Sequence, residues 1–286
     1  MILIKSAAIL VRHLNQARTK VQTIGFVPTM GALHRGHISL LEAARRGNDL
    51  TVCSIFVNPT QFNDPKDFEK YPVTLEKDIE ILEANGVDIL FLPSVDEVYP
   101  RGTSNLQQYD LGFLETILEG YYRPGHFQGV CQVMHRLLDM VQPDDLYMGQ
   151  KDYQQCMVIR KLIELTGMTA RLHPCPTLRE ADGLAMSSRN MRLDESSRQK
   201  AVIISQVLQR VCAALQPGPL EPITSAAELA LAENGFKTDY VAIAAADNLE
   251  LLDEWDGKRP LVALAAAYLG EVRLIDNMFI PITNSH

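Results

Sequence analysis

Residues 24–46 read IGFVPTMGALHRGHISLLEAARR, and this stretch decides the fold class. It opens with a short apolar run, Ile24 to Val27, closed by Pro28, and ends in helical composition from Ile38 to Arg46. Between them, Pro28 to His37 forms a loop that leaves a strand and opens a helix. Gly31 and Gly36 let the backbone approach a ligand, and a helix start offers unpaired N–H groups and the positive end of a dipole. Such a turn is a physical anion site, suited to a triphosphate. His34 and His37 lie three residues apart, so both imidazoles can face the same way and donate to phosphate oxygens. Two histidines at this spacing also fit a metal pair or plain packing. No third ligand of suitable spacing stands nearby, so no metal is assigned to them.

Outward from this stretch the chain keeps alternating. Leu50 to Val57 is rich in β-branched residues and stops at Pro59, while Leu75, Ile79 and Leu82 share a helical face that ends at Gly86. Val87 to Leu92 is the next strand. Val130, Val133, Met134, Leu137, Leu138 and Val141 form the stripe of a buried helix, followed by a strand at Leu146 to Met148 and a helix over Gln154 to Thr166. Strands separated by crossover helices predict an α/β architecture, a doubly wound, Rossmann-like parallel sheet whose ligands bind beyond the carboxyl ends of the strands. From about Pro176 the pattern changes. A long helix over Asp194 to Leu215, a Pro-Gly-Pro turn at Pro217 to Pro219 and a helix over Thr224 to Asn234 precede three strand-like stretches: Asp239 to Ala246, Pro260 to Ala267 and Glu271 to Ile275. The expected domains are therefore residues 1–183 and a smaller α+β domain with antiparallel strands, residues 184–286.

Composition narrows the function. Hydrophobic residues make up 47 % and charged residues 22 %, as in soluble globular enzymes. A formal net charge of -8 argues against a general nucleic-acid or membrane-surface partner, each of which needs a basic face. No apolar run reaches the roughly 20 residues of a membrane span. The opening MILIKSAAIL reads as a strand and then a helix rather than a signal peptide. Five widely spaced cysteines, none in a CxxC pair, point to free thiols and a cytoplasmic location.

Three further loop regions, the second of them in two parts on either side of a helix, bear chemistry-rich residues. FVNPTQF, Phe56 to Phe62, ends a strand and could be no more than an Asn-Pro turn. RPGHFQGV, Arg123 to Val130, precedes the striped helix, and GQKDYQQ, Gly149 to Gln155, follows it. Lys151 there can reach a phosphate in the same crevice, although most lysines are simply solvated. GLAMSSRN, Gly183 to Asn190, places two hydroxyls and an arginine on a segment at the domain boundary. It reads either as a loop that closes on phosphates or as a polar hinge.

Taken together these loops carry a resemblance. HRGH is similar to the HxGH signature of the nucleotidyltransferase superfamily, and PTMGALHRGH resembles the pantothenate synthetase family specifically. All four loops and the ending RLIDN, Arg273 to Asn277, occur in that family's order. The resemblance implies that Met30, Gly31, Ala32, Leu33, His34, Arg35, Gly36 and His37 line an ATP site, with His37 catalytic beside His34 and Lys151. It implies further ATP contacts from Gly149, Gln150, Lys151 and Asp152, from Leu178 near the adenine, and from Met186, Ser187, Ser188 and Arg189. Gln61 is implied for pantoate and then β-alanine, and Gln155 for pantoate. A neutral amide suits that work, because it can donate to a carboxylate and accept from an amine, whereas an arginine would grip the attacking oxygens. Three positions depart from the family pattern: Thr60 for methionine, Gln150 for glutamate, and Val73 where relatives often carry arginine. His126 is a minor catalytic candidate.

The implied chemistry has two half-reactions: pantoate attacks the α-phosphorus of ATP to give pantoyl adenylate and pyrophosphate, then β-alanine displaces AMP to form the amide. Mg²⁺ is expected with ATP, held mainly by phosphates and water, with Asp78 and Asp152 as candidate contacts. Relatives are homodimers, so a homodimer is expected. A small HxGH adenylyltransferase would leave Gln61 and Gln155 unexplained. A synthetase fragment would need an RNA-binding face, and a non-catalytic nucleotide binder would show no turnover.

Overall fold

A computed structural model of the chain describes residues 1–63 and 65–281. It divides into two units: residues 1–150 with 154–176, and residues 151–153 with 177–286. The first unit contains, in order, β1 (Ile2–Ile4), α1 (Ala7–Thr19), β2 (Ile24–Thr29), α2 (Arg35–Gly47), β3 (Leu50–Ile55), α3 (Pro65–Glu69), α4 (Leu75–Ala84) and β4 (Ile89–Phe91). It continues through α5 (Val95–Val98), α6 (Leu118–Tyr122), α7 (His126–Val141), β5 (Asp145–Gly149), α8 (Tyr153–Thr166) and β6 (Arg171–Cys175); only Tyr153 of α8 groups with the second unit.

Every strand pairing in the first sheet is parallel, in the order β1-β4-β3-β2-β5-β6. The doubly wound sheet is thus present. Strand order reverses between β2 and β5, so the crevice open to ligands lies beyond Thr29 and Gly149. Side chains alternate across the sheet: Val27, Cys53 and Leu90 point into a core completed by Leu40, Leu41, Ala44 and Leu82 from α2 and α4.

Several boundaries differ from the sequence reading, each for a local reason. β2 continues through Pro28 to Thr29, because β5 pairs with it only at Gly25 and Phe26 and leaves that flank of the strand open. β6, reading RLHPC, is a strand without a sequence signal. It is a half-exposed edge strand with no apolar alternation to betray it.

The second unit adds α9 (Glu195–Ala201), α10 (Ile203–Ala214), β7 (Gly218–Pro219), α11 (Glu221–Glu233), β8 (Phe236–Ala245), β9 (Glu254–Trp255), β10 (Leu261–Leu269) and β11 (Val272–Ile280). The single helix expected over Asp194 to Leu215 is two helices. The Ser205 hydroxyl and N–H both return to the Val202 carbonyl, at 2.8 and 3.1 Å, and tighten the turn there. Three antiparallel strands, ordered β11-β10-β8, bury Val241, Ile243, Ala263, Ala265 and Leu274 against Ile204, Leu208 and Leu231 of α10 and α11. β7 and β9 form a separate two-residue ribbon.

Candidate functional site

The HRGH segment forms the first turn of α2, three residues earlier than its helical composition suggests. His34 is the N-cap, in extended conformation. Its Nδ1 accepts the Gly36 N–H at 3.1 Å, while the His34 N–H donates to His37 Nδ1 at 3.2 Å. Two imidazoles thus perform the reciprocal bonding usually made by a hydroxyl and a carboxylate. A backbone N–H can only donate, so both Nδ1 atoms hold lone pairs and both neutral rings carry their proton on Nε2. The ring centroids stand 4.1 Å apart. The first turn of α2 contains no acidic residue to offset its positive dipole end.

The turn before α2 is shaped by one carboxylate. Asp78 is buried, and its Oδ2 and Oδ1 accept the Ala32 and Leu33 N–H groups at 2.9 and 2.8 Å. Thr74 Oγ1 adds a bond to Oδ1 at 3.2 Å. Gly31 has φ +82°, and a Cβ there would sit 3.0 Å from Asp78 Oδ2, so only glycine fits without strain. Asp78 therefore braces the loop with both of its oxygens. Alongside lies a largely apolar cavity of about 290 Å³, bordered by Met30, Gly31, Phe56, Val73 and Leu92. Val73 is 79 % exposed at its rim.

Gln61 ends a 3-10 turn over Pro59–Gln61, after β3. Asn58, 1 % exposed, donates from Nδ2 to Gln61 Oε1 at 3.3 Å and accepts the Tyr99 hydroxyl at 2.9 Å. This orients the amide so that Gln61 Nε2 meets Met30 Sδ at 3.0 Å, a weak and easily replaced acceptor. Asn58 has no counterpart in the sequence reading; its burial behind an Asn-Pro turn left no signal there.

The paired glutamines of α8 divide their work. Gln154, 2 % exposed, donates from Nε2 to the Leu114 and Ile117 carbonyls at 2.8 and 3.0 Å. Gln155 is half-buried, and among the described residues no hydrogen bond from its side chain is found. His126, the first residue of α7, is buried and bonds through Nδ1 to the Gln61 carbonyl at 2.7 Å. It holds the Gln61 backbone.

In the second unit, Lys151 and Asp152 occupy a 3-10 turn over Gln150–Asp152, with Nζ and Oδ1 3.9 Å apart. The Lys151 side chain is 15 % exposed and that of Asp152 45 %. The RLIDN ending now has a use: Asn277 Nδ2 donates to the Lys151 carbonyl at 2.7 Å, and Asp276 takes two bonds from Arg179 at 2.7 and 3.0 Å. The Met186 N–H bonds to the Leu178 carbonyl at 3.0 Å. The end of the segment expected as a closing loop, Gly183 to Asn190, enters a capped 3-10 turn, Ser188–Arg192. Ser187 Oγ accepts the Arg189 N–H at 3.3 Å, and Ser188 is buried.

Among the described residues no cluster of three or more His, Cys, Asp or Glu could hold a metal, and no helix is long and apolar enough to cross a membrane. Known proteins agree with this architecture. A family model described as Pantoate-beta-alanine ligase matches residues 2–279. The chain is 44 % identical over 263 residues to pantothenate synthetase of Porphyromonas gingivalis, covering 92 % of this chain and 93 % of that one. It is 43 % identical over 283 residues to pantothenate synthetase of Cytophaga hutchinsonii, covering 98 % and 99 %. Pantothenate synthetase from Thermus thermophilus superposes with a TM-score of 0.90 at 41 % identity, covering 98 % of this chain and 100 % of that one. A pantoate-beta-alanine ligase from Francisella tularensis, complexed with beta-gamma ATP and beta-alanine, gives 0.82 at 38 % identity, covering 98 % and 97 %.

Proposed function

Because this chain belongs to the pantoate–β-alanine ligase family, we propose how its own residues carry out the ATP-dependent condensation of pantoate with β-alanine to pantothenate. The reaction passes through pantoyl adenylate and releases pyrophosphate, then AMP. The observation that carries the proposal is the pair of N–H contacts to His34 Nδ1 and His37 Nδ1, which leaves Nε2 of each ring as its donor side at a helix whose first turn lacks acidic residues. As the pantoate carboxylate attacks the α-phosphorus, charge builds on the phosphoryl oxygens and the departing pyrophosphate. Fixed donors at that position stabilise it without reorganising.

Met30 to His37 line the nucleotide, with further contacts from Gly149, Gln150, Lys151, Asp152, Leu178 and Met186 to Arg189. Gln61 and Gln155 hold pantoate, and Gln61 then receives β-alanine. The Gln61 amide exchanges its weak Met30 contact for a hydroxyl or carboxylate oxygen and leaves the attacking oxygen free to react. Mg²⁺ accompanies the triphosphate, mainly through phosphates and water. The half-exposed Asp152 carboxylate is the group suited to an outer contact, since both oxygens of Asp78 are engaged. The working domains are residues 1–183 and 184–286. The protein acts in the cytoplasm as a homodimer, a reading supported by the family relationship and, for location, by five free thiols.

Exchange of labelled pyrophosphate into ATP tests this reading. It should require pantoate, and AMP should appear in quantity only after β-alanine is added. Exchange without pantoate, or no exchange at all, overturns it.

A further inference from the structure

We propose that Glu119, Arg123 and His126 form a buried positioning chain that sets Gln61 and joins it to the segment carrying Gln155, so that pantoate affinity depends on residues that never touch pantoate. The proposal rests on the reading of those two glutamines as the pantoate-binding pair. It begins at the short bond of 2.7 Å between His126 Nδ1 and the Gln61 carbonyl oxygen. A carbonyl only accepts, so Nδ1 carries the proton and Nε2 holds a lone pair. That lone pair faces Arg123 Nη1 at 3.0 Å and accepts from it. The neutral ring is thereby fixed in one tautomer, the opposite of the one at His34 and His37.

The chain continues inward. Arg123 Nη1 stands 3.5 Å from Glu119 Oε2, with side-chain exposures of only 15 % and 9 %. The Glu119 N–H donates to Gln154 Oε1 at 3.0 Å, and Gln154 immediately precedes Gln155. One run of polar contacts therefore links the backbone of one glutamine to the helical turn presenting the other.

Closure of the fold does not require this chain. α7 is already clamped to the Pro59–Gln61 turn at Gly129, where a Cβ would collide with the Thr60 carbonyl and whose own carbonyl accepts Asn58 Nδ2 at 3.1 Å. Burying a carboxylate, a guanidinium and an imidazole is also a poor source of stability compared with apolar side chains of the same volume. Charged groups with directional bonds fix orientation, and the Gln61 carbonyl is where this chain ends.

The test uses the purified full-length protein in the pantoate-dependent pyrophosphate exchange, with KM measured separately for pantoate and ATP. His126→Ala removes the donor and should raise the pantoate KM roughly tenfold, the scale of one lost buried hydrogen bond. The ATP KM should stay within about twofold. Asparagine places an N–H near the position of Nδ1, so His126→Asn should recover most of the loss. Glu119→Gln, which keeps the volume, should raise the pantoate KM by a smaller factor and serves if His126→Ala does not fold. An unchanged pantoate KM, a parallel rise in both KM values, or no recovery with asparagine overturns the proposal. If the unmodified protein shows no pantoate-dependent exchange, the pantoate reading itself fails and this proposal falls with it; with that exchange intact, a flat pantoate KM removes the positioning chain alone.

Discussion

The two ends of the parallel sheet treat backbone N–H groups in opposite ways. At the amino ends of the strands, protein carboxylates meet them: Asp144 Oδ2 accepts the Ile24 N–H at 2.7 Å, Asp88 Oδ2 the Thr51 N–H at 2.8 Å, and Asp49 Oδ2 the Thr23 N–H at 2.9 Å. At the carboxyl ends the acids are unevenly placed. α4 and α5 begin with Glu76 and Asp78 and with Asp96 and Glu97, whereas α2 and α7 have no acidic residue in their first turns. The sheet thus supplies its own anions wherever it closes. The first turns of α2 and α7, beside the switch between β2 and β5, carry none, and the carboxylate before α2, Asp78, is engaged by the Ala32 and Leu33 N–H groups. An acid-free first turn leaves the positive dipole end of α2 exposed to a ligand within a chain of net charge -8.

The sharpest way to break this contrast is to give the carboxyl end an acid. His34→Asp supplies a better N-cap than histidine, so thermal stability should hold or rise. It also places a negative charge where phosphate must sit and removes one Nε2–H donor. The specificity constant for ATP should fall by roughly 10²–10³. His37→Ala should lower turnover by a similar factor, roughly 10²–10³, without the change in capping charge. Steady-state kinetics with a thermal melt of each variant separates the two effects. A His34→Asp protein with near-normal ATP kinetics would sink the electrostatic account. Smaller in scale, Asp78→Ala leaves the buried Ala32 and Leu33 N–H groups without their acceptor and should cost roughly 3 kcal/mol in urea unfolding. Asp78→Asn keeps one acceptor and should lose about half as much.

Much of this organisation is legible in the chain. The apolar run from Ile24, the glycines at 31 and 36 and the stripe from Val130 to Val141 specify strands and helices through local periodicity, which sequence carries directly. The start of α2 is hard to place because histidine is a poor capping signal; only the folded turn shows imidazoles doing that work. Asp78, Asn58 and His126 act on residues 46, 3 and 65 positions away, respectively, and two of those three separations carry no local pattern. The RLIDN ending is recognisable as a string, yet its reasons, Arg179 on Asp276 and Asn277 on the Lys151 carbonyl, span 97 and 126 residues. Periodic burial is readable because it repeats, whereas a single long-range polar contact is not.

The least disruptive test lies at the amino end of the sheet, where acids close the fold and should have no part in catalysis. Asp145 begins β5 and is 4 % exposed; it takes bonds from Arg171 at 2.9 and 3.0 Å and from His173 Nε2 at 2.6 Å. Burial pushes its carboxyl up, but Arg171 and His173 outweigh that effect and hold it below the usual carboxylate range. The two partners reach water, with side chains 69 % and 43 % exposed, so screening keeps the contribution small. Asp145→Asn should cost about 1 kcal/mol at neutral pH and leave both KM values and turnover unchanged. Because the folded pKa is depressed, that stability is fully present above the unfolded carboxylate value of roughly 3.9 and disappears as pH falls through the lower folded value. Urea midpoints of the two proteins should therefore differ at pH 7 and converge in acid below about pH 4. A gap that persists in acid would assign the loss to packing, and a fall in turnover would mean that the two ends of the sheet are not independent.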